Sequence, residues 1–250
     1  MLPSDSGIFG QKKGSGAPVF FLHCLGLDHQ IWDGVIDRLP DGVSAGVMGL
    51  RGHGASAVPE GPYRMGALVS DAEAAMERLE LRDAVVVGLS VGGMIAQGLA
   101  VKRLDLVRGL VLANTAAKFG QPRPWEDRAA AVLEGGMEAV REATLERWQC
   151  RDAGVEEWLM RCDPVGYAGV CHAIAGTDFY TPTSGLRLPA LGIAGSKDRS
   201  TPPDLVRETS DLIPGSRFAL MKEAGHLSPL DDPDGFTAHL VTFLKEIGHI

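Results

Sequence analysis

Three residues set far apart in the chain, Ser90, Asp198 and His226, are of the types that together perform nucleophilic hydrolysis. Ser90 lies in Gly88-Leu89-Ser90-Val91-Gly92. A serine hydroxyl attacks poorly by itself. On a sharp strand-to-helix turn it projects from the sheet, beside backbone N–H groups that can bind an oxyanion. The five-residue pattern is weak evidence taken alone, because it recurs at Gly42-Val43-Ser44-Ala45-Gly46, and a chain this rich in glycine and serine shows it by chance roughly one time in five. Context separates the two copies. Ala84-Val85-Val86-Val87 precedes Ser90 and Met94-Ile95-Ala96-Gln97-Gly98-Leu99-Ala100 follows it, in strand, turn, helix order. Ser44 follows a Pro40-Asp41-Gly42 turn and runs into Val47-Met48-Gly49-Leu50, which reads as a strand with no helix after it. Ser90 is kept as the candidate nucleophile and Ser44 is set aside.

A serine nucleophile needs a base to take its proton and an acid to orient that base. In open parallel sheets such groups collect beyond the carboxyl ends of the strands. Asp198 lies just past a strand ending at Ala194-Gly195, and His226 just past one ending near Met221. Each has a plainer reading. Asp198 in Lys197-Asp198-Arg199-Ser200 also suits a turn or a helix start, and His226 in Ala224-Gly225-His226 also suits a hydrogen-bonded loop histidine. The joint placement of three suitable residue types at three strand ends favours a triad. The strand preceding the one that leads to Asp198 ends in Ala113-Asn114-Thr115, with no carboxylate to compete. The expected oxyanion donors are the backbone N–H groups of Val91 and of Leu25, in the loop His23-Cys24-Leu25-Gly26, each worth ~3 kcal/mol in a transition state. His23 and His53 sit in glycine loops without a cluster of further ligands. Such imidazoles more often bond to backbone, so no metal site is expected.

The elements around these residues alternate. Ala17 to Cys24, Val43 to Leu50, Ala84 onward and Val107 to Leu112 read as strands, with helical segments at Asp28 to Leu39, Met65 to Leu81 and from Val91 or Gly92 onward. Alternation implies the α/β class, with a mostly parallel sheet flanked by helices. The rhythm breaks over residues 119–185, where Trp125 to Leu133, Met137 to Trp148, Val155 to Arg161 and Tyr167 to Ala175 carry helical spacing and strand signal is nearly absent. This stretch is expected to be an inserted helical cap, with 1–118 and 186–250 forming the core domain. Strands resume at Leu188 to Gly195 and Phe218 to Met221, with helices at Pro203 to Leu212 and Asp234 to Ile247.

With 250 residues and 45% hydrophobic composition, the chain can bury a large core without staples. A formal net charge of −8 argues against a nucleic-acid or anionic-membrane partner, and requires a local cationic pocket for any anionic substrate. The expected partner is a small molecule. Met1 to Gly7 lacks a basic region and an apolar core, so no secretory signal is read and a cytoplasmic location is expected. Ala84 to Val101 is uncharged and near the lower length limit for a membrane span, but its glycines, Ser90 and Gln97 favour a buried strand plus helix. Cys24, Cys150, Cys162 and Cys171 show no paired metal or redox spacing.

The chain resembles the α/β-hydrolase superfamily over nearly its whole length, on His23-Cys24-Leu25-Gly26, Arg51-Gly52-His53-Gly54, Gly88-Leu89-Ser90-Val91-Gly92-Gly93, Asp198 and Gly225-His226, in the order Ser, Asp, His. Within it the chain is similar to the 3-oxoadipate enol-lactonases, on Leu112-Ala113-Asn114-Thr115-Ala116-Ala117, Trp125, Arg128, Leu145-Glu146-Arg147-Trp148, Gly166-Tyr167-Ala168 and Thr201-Pro202-Pro203. The resemblance implies hydrolysis of a small carboxylate-bearing enol-lactone to 3-oxoadipate through an acyl-enzyme, without a cofactor. Ser90 would attack, His226 would act as base and Asp198 would orient it. Arg128 or Arg147 would meet the substrate carboxylate, and Trp125, Trp148 and Tyr167 would line the pocket. The alternatives are a solvated or glutamate-paired arginine, for example with Glu146, and cap-core packing of the aromatics. The chain departs from the pattern at Cys24, at Gly49 where an aspartate is usual, and at Ala175-Gly176 where a more polar pair is expected. The short N-terminal segment implies that the first strand or two are missing or abbreviated. The competing activities are those of a carboxylesterase or a carbon–carbon bond hydrolase with the same triad. A non-catalytic ligand-binding protein on this scaffold is the reading from another class.

Overall fold

The computed structural model describes residues 7–250, so most of the segment read as lacking a signal, residues 1–6, lies outside the described residues. Strands β1 (Gly10–Lys13), β2 (Ala17–Leu22), β3 (Val43–Met48), β4 (Ala84–Leu89), β5 (Val107–Ala113), β6 (Ala190–Gly195) and β7 (Arg217–Met221) form one sheet in the order β1-β3-β2-β4-β5-β6-β7. Every pairing is parallel except that of β1, which runs antiparallel to β3 with Gly10 opposite Met48. The apolar runs of β3, β4 and β6 are buried throughout, as expected where helices cover both faces of a parallel sheet. β1 is the one strand that patterning does not reveal. Its sequence, GQKK, has no apolar alternation, and lysines suit an exposed edge. The first strand among the described residues is thus only four residues long.

The helices are α1 (Asp33–Ile36), α2 (Met65–Arg78), α3 (Val91–Lys102), α4 (Pro122–Gly135), α5 (Arg141–Trp148), α6 (Val155–Met160), α7 (Pro164–Ala175), α8 (Tyr180–Ser184), α9 (Pro203–Asp211), α10 (Ser228–Asp231) and α11 (Pro233–Glu246). α4 to α8 all fall between β5 and β6, where the alternation breaks in the sequence. α8 and α10 escape the sequence reading because one turn of helix has no apolar period to detect. No helix among the described residues is long and apolar enough to cross a membrane.

The strand order sets the site. β2 is followed in sequence by β3 on one side, while β4 joins its other side, with Leu22 opposite Gly88. At this switch point the loops leaving β2 and β4 diverge and leave a crevice beyond the strand ends. The loops bearing Leu25 and Ser90 flank that crevice. Beyond β4 the carboxyl ends of β5, β6 and β7 present Asn114, Asp198 and His226 in turn.

Candidate active site

Ser90 joins β4 to α3 with φ 57° and ψ −121°, a conformation rare for any residue but glycine. Such a backbone costs on the order of 1–3 kcal/mol and persists only where its surroundings enforce it. Here they do: Ser90 N–H donates to the Ala113 carbonyl at 2.9 Å, and the Ser90 carbonyl accepts from Gly93 N–H at 2.8 Å and from Thr115 Oγ1 at 2.6 Å. The flanking glycines are steric requirements. A Cβ on Gly88 would collide with the Gly92 carbonyl, and one on Gly92 with that of Leu22. Ser44, by contrast, is buried within β3 and spends its hydroxyl on the Gly16 carbonyl at 3.2 Å.

His226 and Asp198 are 3% and 4% exposed, and Nδ1 of the imidazole lies 2.9 Å from Asp198 Oδ2. The carboxylate accepts four further hydrogen bonds: Oδ1 from the N–H groups of Ser200 (2.7 Å) and Thr201 (3.0 Å), and Oδ2 from Thr201 Oγ1 (2.6 Å) and Asn114 Nδ2 (2.9 Å). Burial alone would raise its pKa. The charge and hydrogen bond of His226, with the donors from Thr201, outweigh burial and hold the carboxyl below its ordinary value. Asp198 therefore stays ionised and acceptor-only, which makes Nδ1 the protonated nitrogen of the neutral ring and leaves Nε2 as the basic one. The Trp148 ring lies nearly parallel to the imidazole, 6.4 Å between centroids, and the Trp148 carbonyl accepts from His226 N–H at 2.7 Å.

Asn114 is a participant that residue type did not reveal. Its Nδ2 also reaches the Gly225 carbonyl at 3.3 Å, and its Oδ1 accepts from Ser228 Oγ at 2.6 Å. It thus ties the acid to the loop before His226. Its position at the end of β5, within the Leu112 to Ala117 stretch that carries the resemblance, is the signal in the sequence. Thr201, three residues after Asp198, closes the Asx-type turn whose spacing is visible in the chain.

On the other side of Ser90 neither Leu25 N–H nor Val91 N–H has a hydrogen-bond acceptor among the described residues. Val91 is the first residue of α3, where an N–H has no intrahelical partner. The Leu25 loop is pinned by two buried imidazoles. His53 Nε2 accepts from Gly26 N–H at 3.1 Å, and its Nδ1 donates to the Arg51 carbonyl at 3.2 Å. His23 Nε2 accepts from Leu50 N–H at 2.8 Å, and its Nδ1 donates to the Cys24 carbonyl at 2.8 Å. Burial holds both rings neutral, lowering His53 to about 4 and taking His23 well below its ordinary value, against the bonds to the Arg51 and Cys24 carbonyls, which raise them. The backbone-bonded reading of the two histidines is the observed one. Arg51 is itself fixed by a bidentate pair with Asp71, at 2.6 and 2.8 Å.

Ser90, His226 and Leu25 line a cavity of about 160 Å³ whose remaining wall comes largely from the segment between β5 and β6. Trp125, Arg128, Arg147, Trp148 and Tyr167, the five pocket candidates from the sequence, all line it, joined by Phe119, Thr144, Ile174, Ser200, Thr201 and a third arginine, Arg199, which is paired with Glu146. Arg128 is no solvated helix-face residue. Its Nε donates to Tyr167 Oη at 2.8 Å, its Nη2 donates to Thr144 Oγ1, and its guanidinium lies 5.6 Å from the Tyr167 ring centroid and 6.0 Å from that of Trp125. Burial pushes the Tyr167 phenol up to about 12, so it remains neutral. Trp125 donates its indole N–H to the Phe119 carbonyl at 2.7 Å. Arg147 donates from Nε to the Ala143 carbonyl at 3.0 Å and makes no ion pair with Glu146, which lies 3.4 Å from Arg199 instead. Ala175-Gly176 ends α7 and does not line the cavity. Cys24 is buried, and burial raises its thiol pKa, so it is no competing nucleophile.

Known proteins resemble the chain along nearly its whole length. A profile described as the alpha/beta hydrolase family matches residues 19–239. The chain is 30% identical over 236 residues to 3-oxoadipate enol-lactonase 2 of Acinetobacter baylyi, covering 91% of this chain and 88% of that one. Among solved structures it is similar to the enol-lactonase from Burkholderia xenovorans LB400, with TM-score 0.90, 30% identity and coverage of 95% and 96% of the two chains. It is also similar to a thermophilic esterase from Thermogutta terrifontis, with TM-score 0.89, 28% identity and coverage of 96% and 93%.

Proposed function

Since the chain belongs to the alpha/beta hydrolase family, we propose that it opens a small carboxylate-bearing enol-lactone, of the 3-oxoadipate enol-lactone type, through an acyl-enzyme on Ser90. The observation that carries this reading is the pair of arginines, Arg128 and Arg147, in the same cavity as Ser90 and His226 and without an acidic partner among the described residues. An uncompensated guanidinium beside a nucleophile suits an anionic acyl substrate. The cavity, about 160 Å³, suits a molecule on the scale of a single small ring.

In this mechanism His226 Nε2 takes the Ser90 proton as Oγ attacks the ring carbonyl. Asp198 holds the ring through Nδ1 at 2.9 Å and stabilises the imidazolium that forms. The tetrahedral oxyanion lies between the N–H groups of Leu25 and Val91. Collapse breaks the ring C–O bond, and the leaving enolate takes up on carbon, directly or through a water, the proton held by His226 Nε2, becoming a ketone and returning the imidazole to its neutral form. His226 then deprotonates a water that attacks the acyl group, releasing a second carboxylate and restoring Ser90. Arg128, fixed by Tyr167 and Thr144, anchors the substrate carboxylate, with Trp125, Trp148 and Tyr167 as walls. Residues 119–185 act as a cap on the core of 1–118 and 186–250. A cytoplasmic setting with a small-molecule partner goes with this reading.

A simple carboxylesterase is the second reading, favoured by the likeness to the Thermogutta terrifontis esterase. Two measurements decide. A fluorophosphonate probe should label the folded protein and not Ser90→Ala; absence of labelling in the unsubstituted protein removes the nucleophile. Freshly generated 3-oxoadipate enol-lactone should turn over faster than an aryl ester, with KM rising in Arg128→Gln. Ester turnover without lactone turnover rejects the lactonase reading.

A further inference from the structure

We infer that Arg147 forms a second anion subsite beside Arg128, so that the cavity binds short linear dicarboxylates in preference to monocarboxylates and is restrained by its own dianionic product. The inference rests on the reading of Ser90 as nucleophile and Arg128 as anchor.

The two guanidiniums are held differently. Arg128 has Nε and Nη2 committed to Tyr167 and Thr144 and lies against two aromatic faces. Arg147 is tethered only through Nε to the Ala143 carbonyl, and its two Nη groups donate to no acceptor among the described residues. Acids are close at hand on the same helix and its neighbour, yet they go elsewhere: Glu138 and Glu156 pair with Arg141, at 2.9 and 2.6 Å, and Glu146 with Arg199. Arg147 thus lines the cavity as an exposed side chain without an ion pair, with Arg128 as a second positive charge nearby and Glu146 as the acid whose charge reaches it. Partial desolvation and the charge of Arg128 pull its pKa below the usual guanidinium value, against Tyr167 and Glu146, and a bound anion would relieve this.

The reaction supplies such an anion. A lactone carrying one carboxylate enters as a monoanion; water cleaves the acyl–Ser90 bond and turns the acyl carbon into a second carboxylate. Substrate and product therefore differ by one negative charge, formed next to Ser90. One fixed cation suffices to anchor the substrate. Two match the two charges of the product, so the product is held in the site more firmly than the substrate.

The test is titration calorimetry of the full chain with adipate and with hexanoate, ligands of equal carbon number that differ by one carboxylate, repeated for Arg147→Gln and Arg128→Gln. Adipate should bind about tenfold more tightly than hexanoate, as expected for one charge-assisted pair in a partly open site. The preference should shrink as salt is raised. Arg147→Gln should bring adipate to the hexanoate level and leave hexanoate unchanged, while Arg128→Gln should weaken both. Equal binding of the two ligands, binding of neither, or equal weakening of both by Arg147→Gln overturns the second subsite; the last result would mean that both arginines clamp one carboxylate. Binding is read without turnover. Failure of fluorophosphonate labelling would therefore remove the serine mechanism and with it the restraint by product, but not the dicarboxylate preference, whereas lactone turnover with no preference for adipate would remove this inference alone.

Discussion

Lowering the pH from 8 to 5 should cost the protein about 2 kcal/mol of folding stability through His53 alone. The ring is 1% exposed and has both nitrogens committed, Nε2 accepting from Gly26 N–H and Nδ1 donating to the Arg51 carbonyl. Burial is the largest influence on it and lowers the pKa; the Arg51 carbonyl and the charges of Asp28 and Asp163 oppose this, leaving about 4 against an ordinary value of 6.5. The unfolded chain therefore binds a proton as pH falls through 6.5, while the folded chain declines it until about 4. The stability linked to His53 is complete above the unfolded value and is lost progressively as pH falls toward the folded one. At about 1.4 kcal/mol per unit, the full loss is ~3 kcal/mol, of which ~2 is reached by pH 5. His23, shifted in the same direction, adds to it. In His53→Gln the amide oxygen can still accept from Gly26 N–H, but nothing titrates. That variant should start ~1 kcal/mol less stable at pH 8 and lose about 2 kcal/mol less than the parent on going to pH 5. Urea-unfolding midpoints at the two pH values, with matching slopes, measure both quantities. Equal losses in parent and variant would refute the reasoning and place the acid sensitivity elsewhere.

Three further outcomes are expected. Ser90→Ala should lower turnover by something like 10⁶-fold, and Asp198→Asn by ~10⁴-fold because the neutral amide favours the wrong imidazole tautomer; comparable losses in both would argue against the orienting role of Asp198. Asn114→Ala removes the donor shared by Asp198 and Gly225 and leaves Ser228 Oγ without its acceptor. It should reduce kcat by ~10–100-fold with little change in KM and move the acidic limb of the kcat/KM profile, since the environment of the acid changes; a stability loss with unchanged kinetics would make Asn114 purely structural. Gly225→Ala places a Cβ against the carbonyls of Trp148 and Gln149. It should displace the His226 loop, with a melting-temperature drop equivalent to ~2 kcal/mol or more and loss of fluorophosphonate labelling rate; parent-like labelling would show that this close approach does not position the base.

The likeness of β4 and α3 to a nucleophile turn was legible because an unbroken Ala84-Val85-Val86-Val87 run and an apolar helix leave a single way to read the five residues between them. The same applies to Asp198 and His226, each a few residues past an apolar strand. β1 and the one-turn helices α8 and α10 were not legible, since four or five residues carry no measurable period. Arg128 and Arg147 were visible only as residues in a matching stretch. Whether they faced solvent, a glutamate or a substrate depended on partners far away in the chain.

Residue type and local pattern alone thus determined the α/β class, the strand-turn-helix at Ser90, and the chain order of the candidate residues Ser90, Asp198 and His226. Tertiary structure decided how Ser90 and His226 come to line one cavity and how Asp198 reaches His226. Ser90 and His226 follow β4 and β7, three strand spacings or roughly 14 Å apart across the sheet, so the loop before His226 has to fold back over β6 and β5. It is held there by the Asn114 amide and by the Trp148 carbonyl at the end of α5. No periodicity encodes such a return, because the contacts join residues 111 and 78 positions apart, and only packing of the whole sheet and its inserted helices brings them within hydrogen-bond reach.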